Sequence, residues 1–377
     1  MTEKIKNIVV TFVMVALLFG LALFAWFKPV DGFSSSERRE LEKMPAFNAD
    51  TIFNKDRDKT FMKLFEDYSL DQFPLRDKFR SLKSFVAFNV FGHKDNNNLY
   101  SHDGYITQIE YPINKESVSS AADKFEGLYD MYLKDKDKNV YLSIIPDKGY
   151  FLAGPSGHIS IDYNEFFELV KENVPFAEYI DITGQLSIED YYKTDTHWRQ
   201  ENITDVADKL ANAMGTSVSG EYTVNTLDHP FYGVYHGQLA LPLPAEQIKY
   251  LTSDVLDGCT IKAPNKLGVG YTEVPLYNMN NAVGKDPYEM FLSGARVSIV
   301  IVENPNATTD RELIVFRDSF GSSLIPLLAE GYAKITAIDL REISAHQLAT
   351  LGVDFENADD VLFIYSTLIL NNSAELK

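Results

Sequence analysis

The pattern of apolar and polar positions divides the chain into three stretches. Residues 8–27 form an unbroken apolar run, IVVTFVMVALLFGLALFAWF, that contains no charged residue. Residues 31–95 are polar and mix charges of both signs, with apolar positions at helical spacing. From about residue 96, short apolar runs alternate with amphipathic ones. The sequence thus predicts an anchor over 1–30, a helical stalk over 31–95 and an α/β domain over 96–377.

The apolar run is long enough to cross a membrane. Its twenty residues span about 30 Å as a helix, which matches the hydrocarbon core of a bilayer. A cleavable signal peptide has a shorter apolar core and a small-x-small cleavage site, so we expect an uncleaved anchor, with a signal peptide as the alternative. We expect the N-terminus inside and the large domain outside, although the flanking Lys and Arg count alone favours the reverse.

The domain after residue 96 shows the alternation that is typical of a parallel sheet. Its predicted strands are NVYLSII (139–145), RVSIVIVE (296–303), LIVF (313–316), KITAI (334–338) and VLFIY (361–365). The last three are separated by predicted helices, and strand–helix–strand succession implies parallel strands with right-handed crossovers. Residues 220–310, rich in Gly and Pro among short aromatic runs, are predicted to form loops and hairpins inserted around the core.

Charge and cysteine content exclude several classes of function. The formal net charge of −19 argues against nucleic-acid binding, which needs clustered Lys and Arg. Cys259 is the only cysteine, so the chain has no intrachain disulfide and no cysteine-based zinc cluster.

Ligands of open parallel sheets bind beyond the carboxyl ends of the strands. That rule gathers Lys148, Asp318, Ser319, Arg341 and Ser366 at one edge. Solvated charges at strand ends are the alternative interpretation of Lys148 and Arg341, against a role in binding the ligand.

Ser319 follows a predicted strand at the turn into a predicted helix. Its hydroxyl would then be exposed at the sheet edge, and the first free N–H groups of the helix, near Phe320 and Gly321, would be available to stabilise an oxyanion. Serine is also a common helix N-cap, and this structural role is the alternative to a nucleophile.

Asp195 and His197 lie two residues apart in the segment YYKTDTHW (191–198). In an extended segment they project to the same side, which suits a carboxylate that orients a histidine acting as general base. A capping or core histidine is the alternative. A metal site would need a third ligand, which no second His or Cys supplies at ligand spacing in this segment, so no metal is predicted.

The motifs TDTHW (194–198) and, far downstream, RDSFG (317–321) together resemble those of the DHHW proteins and the related alginate O-acetyltransferases of bacterial surfaces. FPLRD (73–77) and IPDK (145–148) extend this resemblance, which spans about residues 98–377.

The resemblance implies an SGNH-hydrolase-like α/β three-layer sandwich with a mostly parallel sheet, preceded by one N-terminal transmembrane helix. In this family the catalytic blocks are permuted, which gives Asp195, His197 and Ser319 the triad roles. Two positions depart from the pattern. Thr196 stands where the name DHHW has His, and Arg317 stands where SGNH proteins commonly have Gly.

The expected function is that of a membrane-anchored, extracytoplasmic O-acyltransferase that acetylates a cell-surface or secreted polysaccharide. No cofactor is expected, and the resemblance implies a multispanning membrane acyltransferase as the source of the acyl group. One alternative is a carbohydrate esterase or deacetylase that uses the same triad with water as acceptor. The other is a non-catalytic component of a polysaccharide export complex.

Overall fold

The computed structural model describes residues 2–265, 270–294 and 296–377. Within them the chain forms two compact units, Met1–Asn96 with His236–Pro242, and Asn97–Tyr235 with Leu243–Lys377. We refer to these as the anchor unit and the sheet unit.

The strands of the described residues are mostly short. In chain order they are β1 (Phe33–Ser34), β2 (Arg39–Glu40), β3 (Leu99–His102), β4 (Tyr105–Gln108), β5 (Asn139–Ile145), β6 (Glu178–Tyr179), β7 (Thr223–Phe231), β8 (Glu246–Thr252), β9 (Thr260–Pro264), β10 (Tyr271–Glu273), β11 (Ile299–Glu303), β12 (Glu312–Arg317), β13 (Lys334–Ile338) and β14 (Asp360–Ser366).

The α-helices range from a single turn to a long N-terminal helix. They are α1 (Glu3–Phe27), α2 (Ala49–Ile52), α3 (Phe61–Asp71), α4 (Arg76–Asn89), α5 (Lys115–Tyr132), α6 (Gly149–Ser156), α7 (Tyr163–Asn173), α8 (Thr204–Ala213), α9 (Val234–Leu239), α10 (Asp254–Asp257), α11 (Met279–Ala282), α12 (Gly321–Leu328), α13 (Ala345–Leu348) and α14 (Thr367–Asn371).

The sheet unit is built on an eight-stranded sheet of order β10-β9-β11-β13-β12-β14-β5-β6. The strands from β13 to β6 pair in parallel, whereas β11, β9 and β10 pair antiparallel at the other edge. The prediction of a mostly parallel α/β sheet is therefore confirmed. The order of strands in the sheet differs from their order in the chain because crossovers join distant positions. For example, β14 and β5 are neighbours in the sheet although they lie far apart in the sequence.

Helices cover both faces of this sheet. Along β12, Leu313 and Val315 face a core that includes side chains of α8 and α12. Ile314 and Phe316 point to the opposite core, which α5 and α7 complete. The alternation follows the two-residue period of a strand, and it explains why the run LIVF is apolar throughout. The structure is a three-layer sandwich.

The stretch 220–310 contains more sheet than the sequence predicts. The hairpin of β7 and β8 and the predicted strand β11 fit the expectation, but β9 and β10 also join the main sheet and extend its edge beyond β11. Burial along β9 alternates residue by residue, so one face of this short strand packs on the core while the other stays partly exposed. A strand of five residues with Lys and Pro carries too weak a period to be recognised.

The anchor unit begins with α1, whose side chains are not buried within the unit. Among the described residues, α1 is the one helix that is long and apolar enough to cross a membrane. In the same unit, α3 and α4 lie within residues 31–95, the stretch predicted to be mainly helical. They are separated at Leu75, which adopts a left-handed conformation with φ of 56°.

A buried carboxylate, Glu110, joins the loop before α5 to the C-terminal end of the chain. Its oxygens accept hydrogen bonds from Asn371 Nδ2 at 3.0 Å, Asn372 Nδ2 at 3.3 Å and Gln108 Nε2 at 2.8 Å. Burial raises the pKa of Glu110 to about 7, and the nearby charge of Asp147 acts in the same direction. The folded chain therefore keeps a proton here that an unfolded chain loses near pH 4.5.

This raised pKa predicts a pH-dependent effect of Glu110→Gln. A group with a raised pKa stabilises the fold below its unfolded pKa, and this contribution is lost as the pH rises through 7. The melting temperature of the wild type should therefore fall relative to that of Glu110→Gln between about pH 4.5 and pH 7. Thermal melts of both proteins over this range measure the difference. The exposed Glu116→Gln is the matched control. The prediction is contradicted if the difference in melting temperature from the wild type is independent of pH for both variants.

Candidate active site

Asp195, His197 and Ser319 form one continuous hydrogen-bonded chain. His197 Nδ1 lies 2.6 Å from Asp195 Oδ1, and His197 Nε2 lies 2.8 Å from Ser319 Oγ. Because a carboxylate can only accept, Nδ1 carries the ring proton and Nε2 accepts from the serine hydroxyl. Asp195 and His197 are buried, whereas Ser319 is partly exposed. The arrangement has the geometry of a Ser-His-Asp triad.

Ser319 is positioned by the turn between β12 and α12. Asp318 is fully buried there, and its carboxylate accepts the N–H of Phe320 at 3.0 Å and that of Ser366 at 2.8 Å. One oxygen thereby fixes the turn and the other ties it to the end of the neighbouring strand β14. The serine is left at the carboxyl end of the sheet, as the strand–turn–helix pattern predicts.

Gly321 allows a close contact behind this turn. A Cβ atom at Gly321 would lie 2.8 Å from Cβ of Arg317, whose side chain is completely buried. Arg317, which replaces the expected Gly of the motif, therefore packs inside the protein beneath the turn and not in the site.

The segment that carries the histidine folds back on itself. Tyr191 and Trp198 form an isolated antiparallel bridge, and Tyr192 N–H donates to the His197 carbonyl at 3.0 Å. Trp198 is fully buried, and its Nε1–H donates to the Phe320 carbonyl at 3.1 Å. The tryptophan thus links the histidine segment directly to the serine turn.

The sequence did not reveal the groups that hold Asp195 from the other side. Val234 N–H donates to Asp195 Oδ2 at 2.9 Å, and Gly233 N–H donates to Thr194 Oγ1 at 2.9 Å. The Glu246 carboxylate accepts from the N–H groups of Lys193 and Thr194, both at 2.8 Å. These residues belong to the region 220–310, where no periodic pattern marks them, so the sequence held no signal for their role.

Tyr288 is a second contribution of that region. Its ring stacks on the His197 ring with centroids 3.8 Å apart and planes 8° from parallel. The Tyr288 hydroxyl lies 2.8 Å from Ser323 Oγ, which fixes the ring from its far end. The imidazole is therefore held by a hydrogen bond at each nitrogen and by an aromatic ring on one face.

Lys148 is buried, so its interpretation as a solvated charge is wrong. Its Nζ donates to the carbonyls of Tyr192 at 3.0 Å and Lys193 at 3.3 Å, and it lies 5.1 Å from the centroid of the Tyr235 ring. Burial lowers the pKa of Lys148 to about 7, although the charge of Asp195 acts in the opposite direction. Lys148 supports the backbone of the segment that carries Asp195.

The other predicted binding groups are occupied within the protein. Arg341 is largely buried and pairs with Asp339 through contacts of 2.7 Å and 3.0 Å, so it is not a solvated charge. Ser366 Oγ accepts from Ile369 N–H as the cap of α14.

The expected oxyanion groups are also placed differently. Phe320 N–H donates to Asp318 Oδ1, and Gly321 N–H donates to the Asp318 carbonyl at 3.2 Å. Both amides are used to build the turn, so this geometry offers neither of them to a ligand. By contrast, Ser319 N–H donates no hydrogen bond to an acceptor among the described residues.

Solved structures with the same fold were found by comparison. A DHHW family protein from Eubacterium siraeum matches with a TM-score of 0.57 at 17% identity, over 74% of this chain and 95% of that one. PatB1 of Bacillus cereus matches with a TM-score of 0.59 at 18% identity, over 72% of this chain and 96% of that one. A second PatB1 structure, with a sulfonyl adduct, matches with a TM-score of 0.57 at 17% identity, over 72% and 97%.

The predicted resemblance to the DHHW family is therefore confirmed at the level of the fold. The O-acetyltransferase domain of Pseudomonas putida AlgJ also matches, with a TM-score of 0.44 at 13% identity, over 73% of this chain and 92% of that one. No family model and no curated protein sequence matches the chain.

The close approach of Gly233 to the Asp195 segment predicts a specific effect of Gly233→Ala. The added Cβ would overlap the Thr194 carbonyl oxygen and the Asp195 backbone nitrogen, so the backbone must shift. A displacement of about 1 Å at a catalytic group costs on the order of a hundredfold in rate, and we expect a loss of this size. The rate of ester turnover, together with the melting temperature, measures the effect.

Gly127→Ala is the matched control for this variant. Gly127 lies on the exposed side of α5 with no atom near its missing Cβ, so alanine should leave turnover unchanged and stabilise the helix by about 0.5–1 kcal/mol. Equal turnover in both glycine variants would mean that the Thr194–Asp195 backbone does not depend on Gly233.

Proposed function

We propose that this chain is a membrane-anchored O-acyltransferase that transfers an acyl group, acetyl in the first place, to hydroxyls of a cell-surface or secreted polysaccharide. The observation that carries the proposal is the unbroken hydrogen-bonded chain from Asp195 through His197 to Ser319, at the carboxyl ends of the parallel strands. The motif resemblance and the shared fold support the reaction class.

In the proposed reaction, Ser319 Oγ attacks the acyl carbonyl carbon while His197 Nε2 takes the hydroxyl proton. The tetrahedral intermediate collapses when the imidazolium returns this proton to the leaving group, and an acyl-Ser319 ester remains. An acceptor hydroxyl then attacks this ester, with His197 again as general base, and the products are the acylated acceptor and free Ser319. Asp195 holds the Nδ1 proton and stabilises the imidazolium in both steps.

Ser319 N–H is the proposed oxyanion donor. It is the amide of the nucleophile itself and donates to no acceptor among the described residues, whereas the two amides that follow it are used by Asp318. A donor aimed at the developing negative charge is worth roughly 10²–10³ in rate.

We propose that the reaction takes place at a membrane surface. Helix α1 supports a single-pass anchor, and we propose that its N-terminus lies inside and the sheet unit outside the cell. An acyl donor made in the cytoplasm must then cross the membrane, so a multispanning membrane acyltransferase is the proposed source of the acyl group. Residues 97–377 carry 41 Asp and Glu against 20 Lys and Arg, which favours a neutral or cationic acceptor over a polyanion.

The nucleophile is tested with serine-directed reagents. A fluorophosphonate probe or a sulfonyl fluoride should label the full chain in detergent, the latter because a sulfonyl adduct exists in a similar structure. Ser319→Ala should abolish labelling, and turnover of an acyl ester should fall by at least about three orders of magnitude. Ser322→Ala, which removes a buried hydroxyl one turn further on, is the control that keeps the label. A folded wild type that takes no label would favour a non-catalytic role.

Transfer is separated from hydrolysis by the acceptor. The full chain is incubated with a chromogenic acetyl ester, with and without a neutral oligosaccharide, and the products are resolved by mass spectrometry. We expect acetylated oligosaccharide at the expense of free acetate as the acceptor concentration rises, because both nucleophiles compete for the same acyl-enzyme. Acetate as sole product at saturating acceptor would make the chain an esterase.

A further inference from the structure

Helix α4 of the anchor unit is amphipathic, but its polar side is buried and its apolar side is exposed, the reverse of a helix in a soluble protein. Its buried residues are Ser84 and Ala87, and the same side carries Arg76 and Arg80, whose side chains are 17% and 19% exposed. Both arginines pair with Glu37, at 2.6 Å and 3.0 Å. The polar side of the helix is thus the side that packs inside the unit.

The opposite side of α4 is apolar and exposed. Leu75, Phe79, Leu82 and Val90 are 60%, 43%, 54% and 64% exposed. At 3.6 residues per turn they fall on one stripe, which we call the apolar face of α4. An exposed stripe of this kind marks an interaction surface, since monomeric soluble proteins rarely leave such a patch uncovered.

Contacts within the anchor unit place the start of this face beside the end of the membrane helix. Lys28 Nζ and Asp31 N–H donate to Gln72 Oε1 at 3.2 Å and 3.0 Å. A groove of about 430 Å³ is lined by Phe24 and Lys28 from the anchor and by Phe73 and Leu75 from the FPLRD segment, among others. Phe24 lies inside the apolar run, so Phe73 and Leu75 stand at the depth where that run meets the aqueous phase.

The charge of residues 28–96, unlike that of the residues after them, is compatible with binding to a lipid surface. Residues 28–96 carry 13 Lys and Arg against 12 Asp and Glu, so the excess acid of the protein lies outside them. Lys78 and Lys83 are exposed on α4 beside the apolar face. Apolar residues on one face with lysines at its margins are typical of helices that lie in the membrane interface.

We propose that the apolar face of α4 is seated in the outer interface of the same bilayer that α1 spans. The chain is then held at the membrane at two places, by a spanning helix and by an interfacial helix, and the tie between Lys28, Asp31 and Gln72 fixes them relative to each other within the anchor unit. The inference rests on the proposed topology of the anchor and does not depend on the triad.

The proposal is tested on the full chain reconstituted in vesicles of phosphatidylcholine with a minority of phosphatidylglycerol. In a Cys259→Ser background, Leu82→Cys is labelled with an environment-sensitive fluorophore. We expect a blue-shifted emission and its loss when nitroxide-labelled lipids are included. Asp77→Cys, about 140° away around the same helix and 60% exposed, is the control that should stay unshifted and be quenched by aqueous iodide instead.

Each other outcome overturns the proposal. A label at Leu82 that iodide quenches as strongly as at Asp77 would place the face in water. A blue-shifted label that neither nitroxide lipid nor iodide quenches would show that protein, a second copy of the chain in this preparation, covers the face. Val90→Cys provides a second site on the same stripe if Leu82→Cys does not fold, as judged by circular dichroism.

Discussion

The hydrogen bond between His197 Nε2 and Ser319 Oγ joins two segments that are 122 residues apart, and the remainder of the site can be understood as what keeps it short. The serine comes from the rigid side, because β12 lies in the middle of the sheet and Asp318 fixes the turn that follows. The histidine comes from an irregular segment that has no ladder of its own. Its position therefore has to be built from side chains and single amides.

Those supports come from three directions. Glu246 and Val234 N–H hold the segment from the region 220–310, Lys148 Nζ holds two of its carbonyls from the end of β5, and Trp198 ties it to the serine turn. The contacts of Lys148 and Trp198 are buried, and leaving such a buried polar group unpaired costs about 1–3 kcal/mol. The placement of one imidazole thus depends on elements from most of the sheet unit.

The sequence was sufficient to predict the placement of the groups that depend on local geometry. Asp195 and His197 follow from the spacing of two, and Ser319 follows from an apolar strand that runs into a turn and a helix. It was not sufficient for groups whose role is tertiary. Glu246 and Tyr288 lie in stretches without a periodic pattern of apolar residues. Lys148 follows a strand as a solvated lysine does, so only its burial distinguishes it. The prediction that the Phe320 and Gly321 amides bind an oxyanion failed for a related reason. The sequence does not show that Asp318, two residues earlier, accepts the Phe320 N–H.

The occupied amides of Phe320 and Gly321 affect the proposed chemistry. A helix start normally offers several free N–H groups to an anion, but Asp318 uses that of Phe320, and the turn itself uses that of Gly321. The proposed oxyanion donor is then the single amide of Ser319. Each missing donor lowers the rate of acyl transfer by about 10²–10³. Under the proposed reaction, a site of this kind would react best with an acyl group that is already activated and would discriminate against plain alkyl esters. An acyl donor handed over at the membrane meets this requirement better than a stable ester that diffuses in from solution.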